Sequence, residues 1–166
     1  MGEPPRRTVI GTVGSKEKAE IAKKNGCHHT ILYRDEDFVA KVKEITSGKL
    51  CDVVYDGIGK TTFPGSLDCL RPLGYFVSFG SASGQIDAFN INILQAKGSL
   101  FATRPTLNNY VAKRDDLIAT AADLFKVVGS GAVKIPVNQK YSLKDAAKAH
   151  KEMEGRDTTG SSILVP

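Results

Sequence analysis

The sequence predicts an α/β protein built on a doubly wound parallel sheet. Short apolar runs alternate with segments of helical periodicity along most of the chain. The connections between successive strand-like runs are long enough for a helix, which favours parallel pairing through right-handed crossovers. Loops rich in glycine and serine follow several of these runs, at the sheet edge where such folds bind ligands.

Five strands are predicted, each from a short run rich in apolar residues. They lie at residues 8–13, 29–33, 51–55, 75–79 and 99–103. Turn residues separate them from the helices, as in Asp56-Gly57-Ile58-Gly59 after the third run and Pro72-Leu73-Gly74 before the fourth. The fifth run begins at Ser99, comes last in the sheet, and is therefore expected to be an edge strand.

Helices are predicted between and after these strands. They lie at residues 16–24, from Asp35 or Asp37 to Gly48, and at 66–70, 91–96 and 115–128. Asn25-Gly26 is a good stop for the first helix, and an aspartate can cap the second, whose apolar residues recur at helical spacing. The last helix is long and amphipathic, and Gly129 and Gly131 follow it.

The composition is that of an ordinary globular domain. The chain has 166 residues, 41% of them hydrophobic and 25% charged, with a net charge of +5. It contains no apolar run long enough for a membrane span. Cys27, Cys51 and Cys69 are odd in number and widely spaced, which predicts free thiols, no zinc site and a cytoplasmic location. Lysine and arginine are scattered, so no nucleic-acid partner is predicted.

The stretch from Gly14 to Lys18 gives the clearest indication of function. It joins a strand to the start of a helix, where free N–H groups and the positive end of the helix dipole favour an anion. Ser15 can cap the helix or donate its hydroxyl to a phosphate, and Lys18 adds a positive charge one turn later. The alternative is an ordinary helix cap beside a solvated lysine.

Four further loops are expected at the carboxyl ends of the strands, as the turn at Gly14 is. They are Tyr33-Arg34, Asp56-Gly57-Ile58-Gly59, Phe79-Gly80-Ser81 and Thr103-Arg104-Pro105. A single glycine in such a loop is adequately explained by turn formation. Five such loops along one edge indicate a groove that binds a nucleotide.

These motifs resemble the quinone oxidoreductases of the zeta-crystallin-like branch of the medium-chain dehydrogenase/reductase superfamily. The matching segments are residues 10–18 (IGTVGSKEK), 31–37 (ILYRDED), 52–59 (DVVYDGIG), 66–70 (SLDCL), 77–81 (VSFGS), 98–105 (GSLFATRP) and 160–166 (GSSILVP). The resemblance implies a Rossmann-like cofactor domain. It also implies a zinc-independent reductase that transfers a hydride from NADPH to a quinone, often as a homodimer.

The resemblance assigns cofactor contacts but no catalytic residue. Ser15 and Lys18, in the turn after Gly14, match the positions that hold the adenosine 2′-phosphate, and Tyr33 matches the tyrosine beside them. An NAD site ordinarily ends this strand in an acidic residue, so a hydroxyl and an ammonium there favour NADPH. The other expected contacts are Gly57 and Ile58 on the adenosine side, Phe79, Gly80 and Ser81 along the middle, Phe101, Thr103 and Arg104 by the nicotinamide, and Arg156 from the C-terminal segment.

The sequence also departs from the family pattern. The family's first strand, its Gly-rich pyrophosphate turn and its substrate domain find no match. We therefore expect an unmatched leader at 1–7, a partial Rossmann domain at 8–133, and a segment at 134–166 whose helix and strand normally pack on the substrate domain. The missing strand would open a gap between the strands at 8–13 and 51–55.

Two functions remain open at this point. The first is the NADPH-binding part of a quinone oxidoreductase, expected to have little activity without the missing part. The second is a non-catalytic domain that binds nucleotides, associates with itself or binds RNA. Exposed strand edges and the family resemblance both predict a homodimer through the strand at 99–103.

Overall fold

The computed structural model of the protein describes residues 7–166, so the predicted leader lies outside it apart from Arg7. The chain divides into two compact units, Met1–Thr106 and Leu107–Pro166. The predicted functional boundary after residue 133 stays a prediction. Across the described residues, no helix is both long and apolar enough to cross a membrane.

The first unit alternates strands and helices in the predicted order. Its elements are β1 (Ile10–Val13), α1 (Lys16–Lys24), β2 (His29–Leu32), α2 (Phe38–Ile45), β3 (Cys51–Asp56), α3 (Phe63–Asp68), β4 (Leu70–Ser78), α4 (Asn92–Ala96) and β5 (Phe101–Thr103). Asp37 is the residue that caps α2. The third helix begins earlier than predicted because Pro64, in its first turn, favours helix initiation.

Strand pairing in the first unit is parallel, as predicted. β1 pairs with β2, and β3, β4 and β5 pair in that order as a second sheet. Within the described residues, β1 and β3 each pair with only one neighbour, and so does β5. The division between the two sheets falls where the sequence predicts a missing strand.

One apolar cluster joins these two sheets. It consists of buried Ile31, Val42 and Cys69, with Ile10 and Val54 packed against it. Ile10 and Ile31 belong to the first sheet and Val54 to the second. The cluster therefore holds the two sheets together through side-chain packing.

The second cluster lies between β4, β5 and the helices beside them, and it corrects the prediction for Leu100. Phe63, Leu67, Leu70 and Phe76 form it together with Leu100, which is 6% exposed. The N–H of Leu100 donates to the carbonyl of Leu94 at 3.0 Å, and β5 starts one residue later. Leu100 is thus a core residue that precedes the strand, and β5 begins at Phe101 and not at Ser99 as predicted.

The second unit contains a long helix and a small parallel sheet. Its elements are α5 (Leu107–Tyr110), α6 (Arg114–Gly129), β6 (Val137–Ser142), α7 (Ala146–Glu154) and β7 (Ser161–Val165). The sheet pairs β6 with β7, and a short 3-10 turn at Leu143–Asp145 precedes α7. The sequence predicts α6 but not α5, which is only four residues long.

Candidate functional site

The turn after β1 brings together the residues predicted to hold a phosphate. The Oγ of Ser15 accepts a hydrogen bond from the N–H of Lys18 at 3.3 Å, so Ser15 caps α1. The N–H of Tyr33 donates to the carbonyl of Val13 at 3.2 Å, which sets the end of β2 beside the end of β1. A Cβ on Gly14 would lie 2.9 Å from the Tyr33 hydroxyl, so the tyrosine rests directly on this turn.

This turn also carries the carboxylate of Glu17, for which the sequence predicts no role. The pKa of Glu17 lies below its ordinary value because a backbone N–H and, to a smaller extent, the Ser15 hydroxyl bond to its ionised form. Glu17 therefore competes with any anion for Ser15. The turn therefore combines the hydroxyl groups of Ser15 and Tyr33 and the cation of Lys18 with the negative charge of Glu17.

A second group of predicted residues lies in the loops after β3 and β4, whose backbones are in direct contact. A Cβ on Gly80 would lie 2.4 Å from the carbonyl oxygen of Gly57. A Cβ on Gly59, where φ is +92°, would lie 2.6 Å from the carbonyl oxygen of Gly84. Only glycine allows both approaches, so these glycines are required by the packing of one loop on the other.

Two large side chains of these loops are exposed at the surface. Phe79 is 59% exposed, and a Cβ on Gly57 would lie 3.0 Å from its ring, so Phe79 covers Gly57. Ile58 is 44% exposed beside it. Together they offer an apolar surface at the carboxyl end of β3.

A cleft of about 480 Å³ opens at the carboxyl ends of β4 and β5. The predicted residues in its wall are Gly80, Ser81, Thr103 and Arg104. Sequence reasoning missed the rest of the wall, namely Phe63, Phe76, Ser78, Gln85, Ile86, Phe89 and Ala102. These come from separate segments and are joined only by the fold, as in the contact of the Phe63 and Phe89 rings at 5.0 Å.

Phe101 lies apart from this cleft wall. Its ring stacks on that of Tyr75, with the two centroids 4.8 Å apart and the planes 13° from parallel. Both rings are about half exposed. Phe101 and Tyr75 are paired across the β4–β5 ladder and therefore form an aromatic pair on one face of the sheet. The predicted contact of Phe101 with a nicotinamide stays a prediction.

Arg104 binds the backbone at the end of β4. Its Nη1 donates to the carbonyl oxygens of Ser78 and Gly80, each at 3.0 Å. One nitrogen of the guanidinium is thus used to hold the strand end and the following loop. The positive charge is fixed at the wall of the cleft.

Arg156 is the one predicted cofactor contact that lies outside the first unit. Arg156 lies in the second unit, in the turn after α7, with φ at +64°. Its approach to a cofactor stays a prediction. Within residues 7–166, no group of three or more His, Cys, Asp or Glu side chains is placed to hold a metal ion.

Three comparisons with known proteins agree. A model of the zinc-binding dehydrogenase family matches residues 7–126. A quinone oxidoreductase of Salmonella typhimurium is 50% identical, over 95% of this chain and 49% of its own length. A 2-haloacrylate reductase of Burkholderia is 49% identical, over 96% of this chain and 48% of its own.

Solved structures show the same relation. The crystal structure of Escherichia coli quinone oxidoreductase complexed with NADPH superimposes with a TM-score of 0.92 at 48% identity. The match covers 96% of this chain and 49% of the other. The chain thus spans about half the length of the relatives that it matches.

The parallel α/β architecture and these neighbours define the class as a Rossmann-like cofactor domain. More narrowly, the chain belongs to the zinc-binding dehydrogenase family, and within it resembles the quinone oxidoreductases.

Proposed function

We propose that this chain forms the NADPH-binding part of a cytoplasmic, zinc-independent quinone oxidoreductase. The observation that carries the proposal is the turn after β1, where Gly14, Ser15, Lys18 and Tyr33 come together. The similarity to quinone oxidoreductases, one of them solved with NADPH, supports it. The three free cysteines fit a reducing compartment.

The donors in this turn suit the 2′-phosphate that distinguishes NADPH from NADH. The turn offers the hydroxyl groups of Ser15 and Tyr33 and the ammonium group of Lys18. A dinucleotide site selective for NAD ordinarily places a carboxylate at this strand end, where it binds the ribose hydroxyls and repels a phosphate. Here β1 is followed directly by Gly14 and Ser15. Glu17 lies two positions after Ser15 and weakens the preference without removing it.

The loops after β3, β4 and β5 would bind the rest of the cofactor. Gly80 and Ser81 bring backbone to the cleft, and Thr103 and Arg104 form its other wall. NADPH supplies the hydride when bound. The residues of this chain orient the reactants, and the fixed charge of Arg104 favours a substrate on which negative charge develops.

A homodimer through β5 is part of this proposal. β5 pairs with β4 on one side only, among the described strands, so backbone groups of its other edge are available for pairing. The stacked rings of Tyr75 and Phe101 add an exposed apolar surface on the sheet face beside that edge. Pairing of two such edges about a two-fold axis is self-complementary.

The test combines binding with turnover. The purified chain is titrated with NADPH and with NADH, and its oxidation of NADPH by 1,4-benzoquinone is then followed. We expect tighter binding of NADPH and little or no turnover, because the 166 residues tested span about half the length of the quinone oxidoreductases that they match. No binding of NADPH, or equal affinity for both cofactors, would refute the proposed cofactor site. Saturable quinone reduction by the chain alone would refute the inactivity.

A halogenated acrylate is a second candidate substrate. The 2-haloacrylate reductase is as similar to this chain as the quinone oxidoreductases are. The cationic Arg104 at the cleft would suit a carboxylate. Titration of the NADPH-loaded chain with 2-chloroacrylate and with 1,4-benzoquinone separates the two candidate substrates. Saturable binding of 2-chloroacrylate alone would favour the acrylate, and saturable binding of 1,4-benzoquinone alone would favour the quinone.

A further inference from the structure

The carboxylate of Asp56 ties together the loop that follows β3. Asp56 ends this strand and is 4% exposed. Its Oδ1 accepts hydrogen bonds from the N–H groups of Ile58 at 2.8 Å and Gly59 at 3.0 Å. Its Oδ2 accepts from the hydroxyls of Ser66 at 2.7 Å and Thr62 at 2.8 Å. One buried side chain thus joins the loop to the start of α3.

The loop fixed in this way holds the loop after β4. The carbonyl oxygen of Ile58 accepts hydrogen bonds from both the N–H and the hydroxyl of Ser83, each at 2.8 Å. The carbonyl oxygen of Gly57 accepts from the N–H of Ala82 at 3.2 Å. The positions of Ala82 and Ser83 therefore depend on the loop whose N–H groups Asp56 binds.

All the groups that bond to the Asp56 carboxylate are uncharged. Burial alone would raise the pKa of this carboxyl, but the hydrogen bonds from Ser66, Gly59, Thr62 and Ile58 outweigh burial and hold the pKa below its ordinary value. A buried carboxylate without a cation is costly unless its oxygens are fully bonded. The arrangement therefore depends on the loop keeping this one conformation.

We propose that Asp56 is a positioning residue for the cofactor, one that acts through the two loops and does not touch the ligand. It sets the loop after β3, this loop sets the loop after β4, and the latter contributes Gly80 and Ser81 to the cleft. Arg104 holds Gly80 from the other side. This inference rests on the proposed function, because it assigns these loops to NADPH.

Three substitutions separate positioning from a general loss of stability. Asp56→Ala leaves the N–H groups of Ile58 and Gly59 without their acceptor. Asp56→Asn keeps an oxygen for these two N–H groups, and its amide can donate to the hydroxyl of Ser66, so it should rescue the loop. Asp52→Asn is the matched control, since Asp52 lies on the same strand but is exposed, in an ion pair with Arg71.

The experiment measures amide hydrogen exchange and NADPH affinity on the full chain. In Asp56→Ala, we expect the amides of Ala82 and Ser83 to exchange about tenfold faster or more, while the amides of β2 keep their protection. We expect NADPH to bind about tenfold more weakly, because the loops would then hold the binding conformation only about a tenth of the time. Asp56→Asn should stay within about threefold of the parent chain, and Asp52→Asn should match it.

The outcomes distinguish this inference from the proposed function. Unchanged exchange at Ala82 and Ser83 in folded Asp56→Ala, or equal losses in Asp56→Ala and Asp56→Asn, would overturn the positioning role. If Asp56→Ala does not fold, Thr62→Val is used instead, because it removes one donor to the carboxylate. Unchanged exchange of the Ala82 and Ser83 amides in Thr62→Val would equally overturn the positioning role. If the parent chain binds no NADPH, the proposed function fails, while the exchange data still decide whether Asp56 positions the loops.

Discussion

Replacing Lys18 with alanine should weaken the binding of NADPH and leave NADH nearly unaffected. Lys18 lies in the first turn of α1, and its N–H donates to the Ser15 cap. A charge-assisted contact to a phosphate contributes about 1.5–3 kcal/mol. Because Lys18 is partly exposed, water and salt screen its charge, and the lower end of this range applies. The expected loss in NADPH affinity is therefore about tenfold.

The assay is a fluorescence titration of each cofactor at low and at high salt. Lys24→Ala is the matched control, since Lys24 is exposed and lies in the last turn of the same helix, about 9 Å further along its axis. The adenosine end is tested separately with 2′,5′-ADP and 5′-AMP. Equal losses for NADPH and NADH, or equal losses in Lys18→Ala and Lys24→Ala, would show that Lys18 does not contact the 2′-phosphate.

Further predictions concern charge, assembly, acid stability and thiol reactivity. Glu17→Gln should tighten NADPH binding a few fold and leave NADH binding unchanged in the same titration, because it removes a negative charge that competes with the phosphate for the Ser15 hydroxyl; weaker NADPH binding would contradict this. Phe101→Lys should shift the chain towards monomer in light scattering, since a charge blunts an edge strand; an unchanged mass would refute the β5 interface. The pKa of Asp56 is lowered by folding, so its stabilising effect is present above about pH 4 and is lost as pH falls through the folded-state pKa. The difference in urea unfolding free energy between the parent chain and Asp56→Asn should therefore shrink on acidification. A difference that stays constant with pH would contradict the lowered pKa of Asp56. Burial raises the pKa of Cys69 to about 12, so native protein should leave this thiol unlabelled by iodoacetamide at neutral pH, and rapid labelling would disagree with the fold.

Most of the fold was predictable because local signals and parallel topology agree. The bounds of α1 and the capping of α2 by an aspartate follow from residues next to each other in the chain, although the structure was needed to choose Asp37 over Asp35. The starts of β4 and β5 were less predictable because they depend on packing: β4 begins at Leu70, five residues before the predicted start, and β5 begins two residues after its predicted start. Leu100 belongs to the apolar run that predicts a strand, but it lies in the core, and its N–H donates to the carbonyl of Leu94.

The candidate site divides in the same way. The turn with Ser15 and Lys18 is contiguous in sequence, so a spacing argument could find it. The cleft is not contiguous in sequence, since its wall includes Phe63 and Phe89, which are far apart in the chain and meet only in the folded structure. The sequence places Asp56 in a turn, but no local pattern predicts its bond to Ser66, ten residues later.

The division of the sheet explains how the two ends of the proposed site are connected. The turn that would hold the 2′-phosphate belongs to the β1–β2 sheet, and the cleft belongs to the β3–β4–β5 sheet. These sheets share no backbone ladder within the described residues, and the cluster around Ile31, Val42 and Cys69 joins them. Side-chain packing tolerates small shifts that a hydrogen-bonded ladder would resist. The hydrogen bonds within each half, the Ser15 cap in one and the Asp56 network in the other, therefore fix local geometry, while the apolar cluster sets the distance between the halves that one dinucleotide must span.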